Sequence, residues 1–398
     1  MSDRPDAGSH DAATRSPQQE TLVDSRSGGE NARRILRRDP NPHLFRPVQF
    51  RSVKARNRIM LSPMCQYSGH DGLSNDWHFV HLGARATGGA GWVFTEAVHV
   101  EPRGRITPHC LGLWNNEQRD RLARIAAFVE QQGAVPGIQL GHAGRKASVG
   151  RPWEGSHPLR PEQGGWDDLV SASALPYARG WQVPAAMTPS QIDASLESLK
   201  ASTRRAREAG FKALELHGAH GYLIHQFLSP LSNRREDAYG GSFEHRIRFL
   251  LESIGVVREE WPDELPLFLR LSCTDWVEGG WTLDDSVHLA ARLRQQGQVD
   301  LIDCSSGGND PRQQIPIHPG YQIPLAQRVR QESGMATGAV GLIHSPDLAE
   351  AVIANGQADL VVLGRALLAD PAWPLRAAAM LKAENVAWPP QYERSNIF

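Results

Sequence analysis

The stretch LELHGAHGYLIHQFLSPLSNRREDAYGG, residues 214–241, opens on a short apolar run and then places His217, His220, Tyr222 and His225 within nine positions. Two imidazoles three residues apart at the end of a buried strand have three readings. They are satisfied core side chains; or they ligate a metal, because H-x-x-H with a cysteine or carboxylate nearby suits zinc; or they converge two N–H donors on one carbonyl or nitro oxygen. In the last case they stabilise negative charge developing on that oxygen, as an oxyanion hole does, and Tyr222 close by supplies a proton. Carboxylates near the strand ends are few, Glu96 and Asp303 being the main ones. That weighs against a metal-dependent lyase or hydrolase without removing it.

Such residues need a frame that aims several strand ends at one place. Short apolar, β-rich runs recur at 58–64, 91–97, 134–140, 211–217, 266–272, 299–305, 334–338 and 358–364. Amphipathic helical stretches follow most of them, among them NEQRDRLARIAAFVEQQG, PSQIDASLESLKASTRRAREAG and TLDDSVHLAARLRQQG, each ending in the glycine usual after a helix. The predicted fold is α/β, a (β/α)8 TIM barrel with an N-terminal hairpin over 45–58, a long loop after the third strand and a C-terminal tail. A doubly wound open sheet is the rival, since alternation alone does not reveal closure. In a barrel the active site lies at the C-terminal strand ends, and the chemically capable residues fall there. Cys65 and Tyr67 close the first strand, Glu96 the second, Gln139 and His142 the third, and His217 and His220 the fourth. Arg270 lies in the fifth, Ser305 and Ser306 follow the sixth, Gly338 and Gly341 flank the end of the seventh, and Gly364 and Arg365 end the eighth.

The loops ATGAVG and GRALL put glycines where backbone N–H groups can approach a phosphate just before a helix, with Arg365 as a guanidinium fork. The same glycines also serve as ordinary turn residues. Neither a dinucleotide fingerprint after an early strand nor a Walker sequence is present. With 43 Lys+Arg against 44 Asp+Glu there is no basic surplus for a nucleic-acid groove. No apolar run approaches the roughly 20 residues that span a bilayer. The scattered Cys65, Cys110, Cys273 and Cys304 fit a reducing compartment and offer no C-x-x-C pair for a cluster or structural zinc. Residues 1–40 are polar and aperiodic and are expected to be a disordered extension, leaving 41–398 as one domain of a cytoplasmic protein.

Together SPMCQYS, GIQLGHAGRKAS, HGAHGYLIHQFLSPLSNRREDAYGGS, LIDCSSGG, ATGAVG and VVLGRALLADP resemble the old yellow enzyme family, and most of all its thermophilic-like, xenobiotic reductase branch. The resemblance covers residues 43 to 398 and implies a TIM barrel with non-covalent FMN. It implies an NADPH dehydrogenase or ene-reductase, with NADPH or NADH as hydride donor and an activated alkene as acceptor. Ser62, Pro63, Met64 and Cys65 would line the flavin, with Ala97 beneath it and Gln139 on its polar edge. Arg270 would lie near the N1–C2=O region, and Gly338, Gly364 and Arg365 would hold the phosphate. His217 and His220 would grip the substrate oxygen, Tyr222 would donate the proton, and Tyr67 would add a ligand contact. The resemblance further implies that Cys65 tunes the flavin's potential. It implies that Arg394, supported by Tyr392, reaches a neighbouring subunit's site, in a homodimer or a homotetramer built from dimers.

Overall fold

A computed structural model describes residues 41–395; the expected disordered extension lies outside the described residues. The chain enters through a hairpin, β1 (Val48–Phe50) and β2 (Val53–Ala55), paired antiparallel. Eight strands then close into a parallel barrel: β3 (Ile59–Leu61), β4 (Trp92–His99), β5 (Val135–Gly141), β8 (Ala213–Gly218), β9 (Leu267–Ser272), β10 (Leu301–Ser305), β11 (Thr337–Ala339) and β12 (Leu360–Leu363). Every apolar run singled out in the sequence overlaps one of them. The ring closes through β9 on β10 and β12 on β3, which settles the barrel against the open sheet.

Period-two alternation divides each strand between two apolar masses. Ile59, Leu61, Val93, Ile138, Leu140, Leu214, Leu216, Leu269, Ile302 and Val361 face outward into the layer shared with the helices. Met60, Trp92, Phe94, Val135, Ala213, Phe268, Leu301, Leu360 and Val362 fill the interior instead. Aromatic rings dominate that plug: Trp92 and Phe268 lie 5.5 Å apart, and Phe94 and Phe268 5.9 Å. The hairpin caps it from the N-terminal end, with Phe50 edge-on to both Trp92 (5.8 Å) and Phe268 (5.2 Å). Gly137 makes room for it, since a Cβ there would sit 2.6 Å from the Phe94 ring.

The helices between strands are α1 (Asp76–Thr87), α2 (Asn116–Gln131), α3 (Pro189–Glu208), α4 (Leu223–Leu228), α5 (Phe243–Arg246), α6 (Arg248–Glu260), α7 (Leu283–Gln296), α8 (Ile323–Ser333), α9 (Pro346–Ala354), α10 (Arg365–Ala369) and α11 (Trp373–Leu381). Several carry the caps their sequences advertise. Thr188 caps α3, with Pro189 at its first position and Gln191 reaching back, and Thr282 and Asp285 do the same for α7. α1 and α8 were not singled out in the sequence: α1 carries polar His78, His81 and Arg85 on its buried face, which blurs the apolar period.

The segment between β5 and α3 spans the long loop, residues 143–187. It is built from three short 3-10 turns and a two-residue parallel pair, β6 (Val170–Ser171) with β7 (Ala185–Ala186). Trp166 donates to the Arg103 carbonyl at 3.0 Å, which fastens the loop down, and Trp181 packs on Tyr177 within the loop at 4.8 Å. Trp153 is 63% exposed and meets Tyr67 edge-on at 6.0 Å.

Candidate active site

Above the aromatic plug the inward positions turn polar. Gln139, Glu215, His217, Arg270, Asp303 and Ser305 are all buried, on consecutive strands β5, β8, β9 and β10. His217 and Arg270 are register partners, as are Arg270 and Asp303.

His217 ends β8 pointing inward. The chain then turns sharply, with His220 at φ 58° and Gly221 at φ 71°, so the second imidazole swings back beside the first. The rings are 5.1 Å apart and nearly perpendicular, and Tyr222 stands 4.9 Å from His217. The Ala219 N–H donates to His217 Nδ1 at 3.3 Å, which in a neutral ring leaves the proton on Nε2. His220 Nε2 lies 2.8 Å from Ser305 Oγ. Burial, and then the Arg270 charge, hold both imidazoles well below the ordinary histidine range, so the pair is uncharged at neutral pH. Burial holds the Tyr222 hydroxyl well above its usual range, so its proton stays available. His225, third in the motif, takes no part. Its Nδ1 accepts from the Gly221 N–H at 2.9 Å and its Nε2 meets the buried Asp275 at 2.9 Å, which anchors the turn that aims the other two.

A cavity of about 290 Å3 opens beside His220. It is lined by Ser62, Pro63, Met64, His220, Arg270, Gly364 and Arg365, all expected at the site. It is also lined by Ser305 and Gly341, both noted at strand ends in the sequence, and by Tyr321, Gln322 and Leu342, which carried no assigned role. Gly338 is the exception among the expected phosphate residues. It lies within β11, where a Cβ would meet Val362 at 2.8 Å, so its smallness serves barrel packing, and Gly341 supplies the glycine at the cavity. The stretch between LIDCSSGG and α8 held no motif, so Tyr321 and Gln322 were legible only once folded. Gln322 accepts from Ser306 Oγ at 2.6 Å and donates to the Val340 carbonyl at 3.1 Å, tying the two loops together.

Around the rim, Cys65 packs with Tyr67 and Tyr222 against the cluster that holds Cys110. The Cys110 thiol, and then burial, raise the Cys65 thiol well above its usual range, so it is a neutral neighbour and not a nucleophile. Ala97 is buried on β4, in register with Gln139. Glu96 turns to His78 at 3.3 Å and away from the cavity. Lys146 donates to the carbonyls of His220 and Gly308 at 2.8 and 2.7 Å, with its ammonium 5.2 Å from the Tyr222 ring centre. Burial, and then Arg145, bring it down to about 7. Arg394 lies on an exposed C-terminal 3-10 turn, Pro390–Ser395, outside the cavity lining. Among the described residues no group of three or more His, Cys, Asp or Glu side chains is placed to hold a metal.

Residues 43–384 match the model of the NADH:flavin oxidoreductase / NADH oxidase family. The chain belongs to that family. It is 45% identical over 353 residues to an NADPH dehydrogenase of Geobacillus sp. (strain WCH70), covering 88% of this chain and 98% of that one. It is 42% identical to an NADPH dehydrogenase of Bacillus subtilis (strain 168) over 353 residues, covering 88% and 98%. Among solved structures, morphinone reductase superposes with a TM-score of 0.71 at 26% identity, covering 88% of this chain and 92% of that one. The old yellow enzyme resemblance of the sequence therefore stands. The protein is an FMN-dependent oxidoreductase of this family that takes hydride from a nicotinamide nucleotide.

The cavity fits that cofactor. Arg365 makes no ion pair among the described residues, and it stands at the end of β12 beside Gly364, where an added Cβ would meet Met64 Sδ at 3.3 Å. Arg270 on β9 offers a second cation to the cavity lining. A phosphate and an electron-rich ring suit a cavity with two such cations.

Proposed function

We propose that this oxidoreductase reduces activated C=C bonds, enones above all and nitro compounds as a second class, in two half-reactions that share one site. FMN, when bound, supplies the hydride relay between the nicotinamide and the alkene. Ser62, Pro63, Met64, Cys65, Ala97, Gln139 and Arg270 would hold its ring, and Gly341, Gly364 and Arg365 its phosphate. His217 and His220 bind the substrate oxygen, which draws electrons from the β-carbon. His217 offers Nε2–H; His220 offers its Nδ1–H when the Ser305 hydroxyl donates to its other nitrogen. Tyr222 places its proton over the α-carbon, and Lys146 beside it offsets the negative charge left on the phenol oxygen. Tyr67 and Trp153 form the outer wall where a ligand enters. One site for both partners predicts ping-pong kinetics.

The observation that carries this reading is the buried imidazole pair, 5.1 Å apart, with the Tyr222 ring 4.9 Å from one of them. FMN-loaded protein should be bleached anaerobically by NADPH and recover its colour with cyclohexenone. Bleaching without recovery across a panel of enones and nitroarenes removes the ene-reductase reading and leaves the family assignment intact. Tyr222→Phe should slow the alkene step by about 10²-fold, the low end for a general acid, with NADPH-driven bleaching nearly unchanged. Equal loss in both steps contradicts its role as the acid. The remaining parts of the reading are a cytoplasmic location and an assembly of dimers in which Arg394 completes a neighbour's site. No helix among the described residues is long and apolar enough to cross a membrane. Arg394→Ala with unchanged kinetics would remove the trans contribution.

A further inference from the structure

Beneath the histidines the barrel holds titratable groups that the reaction above does not use. Glu215 lies two residues before His217 on β8, facing inward, and both it and Asp303 on β10 are fully buried. Gln139 Nε2 donates to Glu215 Oε1 at 2.7 Å. Arg270 Nε lies 3.3 Å from Asp303 Oδ2. Glu215 Oε2 and both Asp303 carboxyl oxygens have no hydrogen-bond partner within the protein. The charged groups that face Glu215 are therefore Arg270 from β9 and Asp303 from β10, while Gln139 from β5 is neutral.

One guanidinium does not neutralise two buried carboxylates, and an uncompensated charge in such a place costs several kcal/mol, roughly. The pair relieves this by holding a proton. Asp303 has Arg270 beside it; Glu215 has only an amide. Glu215 is the better proton holder, and burial, with Asp303 next, pushes its carboxyl up to about 8.

We propose that Glu215 is the redox-linked proton acceptor of this site, a positioning residue that orients Gln139 and takes up a solvent proton when the nearby flavin gains negative charge. The inference rests on the family's cofactor and on the placement of Gln139 and Arg270 beside it. The balance is simple. NADPH delivers hydride, so the flavin gains two electrons and one hydrogen and becomes more negative by one charge, with no solvent proton consumed. The Glu215 carboxylate then forms one O–H bond at Oε2 with a proton from solvent, and returns that proton when an alkene reoxidises the cofactor. Below the pH at which Glu215 is already protonated, nothing is taken up.

The test is anaerobic reduction of FMN-loaded protein by NADPH in weakly buffered solution containing a pH-indicator dye. Wild type should take up close to no proton per flavin near about pH 7 and more than about half a proton near about pH 9. Glu215→Gln should show almost none at either pH, and Lys146→Met should keep the wild-type rise. Uptake that does not change with pH in wild type overturns the proposal. So does a rise kept in Glu215→Gln, or one lost in Lys146→Met but kept in Glu215→Gln. Should Glu215→Gln fail to load FMN, wild type decides alone by infrared difference spectroscopy. A deuterium-sensitive protonated-carboxyl band must appear on reduction near about pH 9, and its absence overturns the proposal. Neither measurement involves an alkene, so a failed ene-reductase reading leaves this result standing and is distinguishable from it.

Discussion

The two ends of the barrel interior use the same strands and the same alternation but opposite side chains. Toward the N-terminal end, Trp92, Phe94 and Phe268 interlock under the Phe50 hairpin. A few residues further along the same strands, Gln139, Glu215, His217, Arg270 and Asp303 face the same axis with several polar atoms unsatisfied. The lower layer gains from burying apolar area, at about 25 cal/mol per Å2. The upper layer spends part of that gain to keep imidazoles neutral and a guanidinium buried. Stability and chemistry are thus separated along the barrel axis by only two to four residues of sequence, and mutations should divide the same way.

The largest expected effect is in the plug. Phe268→Ala should cost about 3–5 kcal/mol of unfolding free energy, because it removes a ring packed against three others. Chemical denaturation measures this, and the folded fraction should keep its alkene turnover. A stable variant with damaged turnover would blur the two layers. Next comes His217→Ala, which should slow the alkene half-reaction by about 10²-fold, the size of one lost oxyanion donor, with a melting temperature close to wild type. A comparable loss of stability would mean the upper layer is structural as well.

The smallest effect is a slope. Lys146 titrates near about 10.4 in an unfolded chain and at about 7 in the folded one. Between those values the unfolded state binds a proton the folded state lacks, so wild-type stability rises with pH across the window. Lys146→Met lacks this contribution, and its denaturation midpoint should climb less steeply from about pH 7 to about pH 10. Parallel slopes would mean that the ammonium is well solvated and the upper layer is wetter than its burial indicates.

Much of this division was legible in the sequence. Strands announced themselves because outward positions are apolar along their whole length, and the polar inward residues stood out against them at the C-terminal ends. His217, His220, Tyr222, Arg270, Gly364 and Arg365 were singled out by that contrast together with the family-like motifs. Long-range pairing was not legible. Gln139 to Glu215 spans 76 residues and Ser306 to Gln322 joins a strand end to a motif-free loop. Gly338 misled because a glycine before a helix is expected to meet a ligand, whereas this one yields space to Val362. His225 shares that stretch but carried no role in the sequence reading, and only the Asp275 contact shows that it holds the turn.

The left-handed backbone at His220, φ 58°, restricts what protein engineering can do at the site. Asparagine tolerates that conformation and still carries an N–H donor, while β-branched residues resist it. A saturation library at this codon should therefore yield soluble protein mainly for glycine, asparagine, aspartate and histidine, and of these only asparagine and histidine keep a neutral donor for an incoming ligand. The main chain narrows the usable alphabet before any selection for turnover is applied.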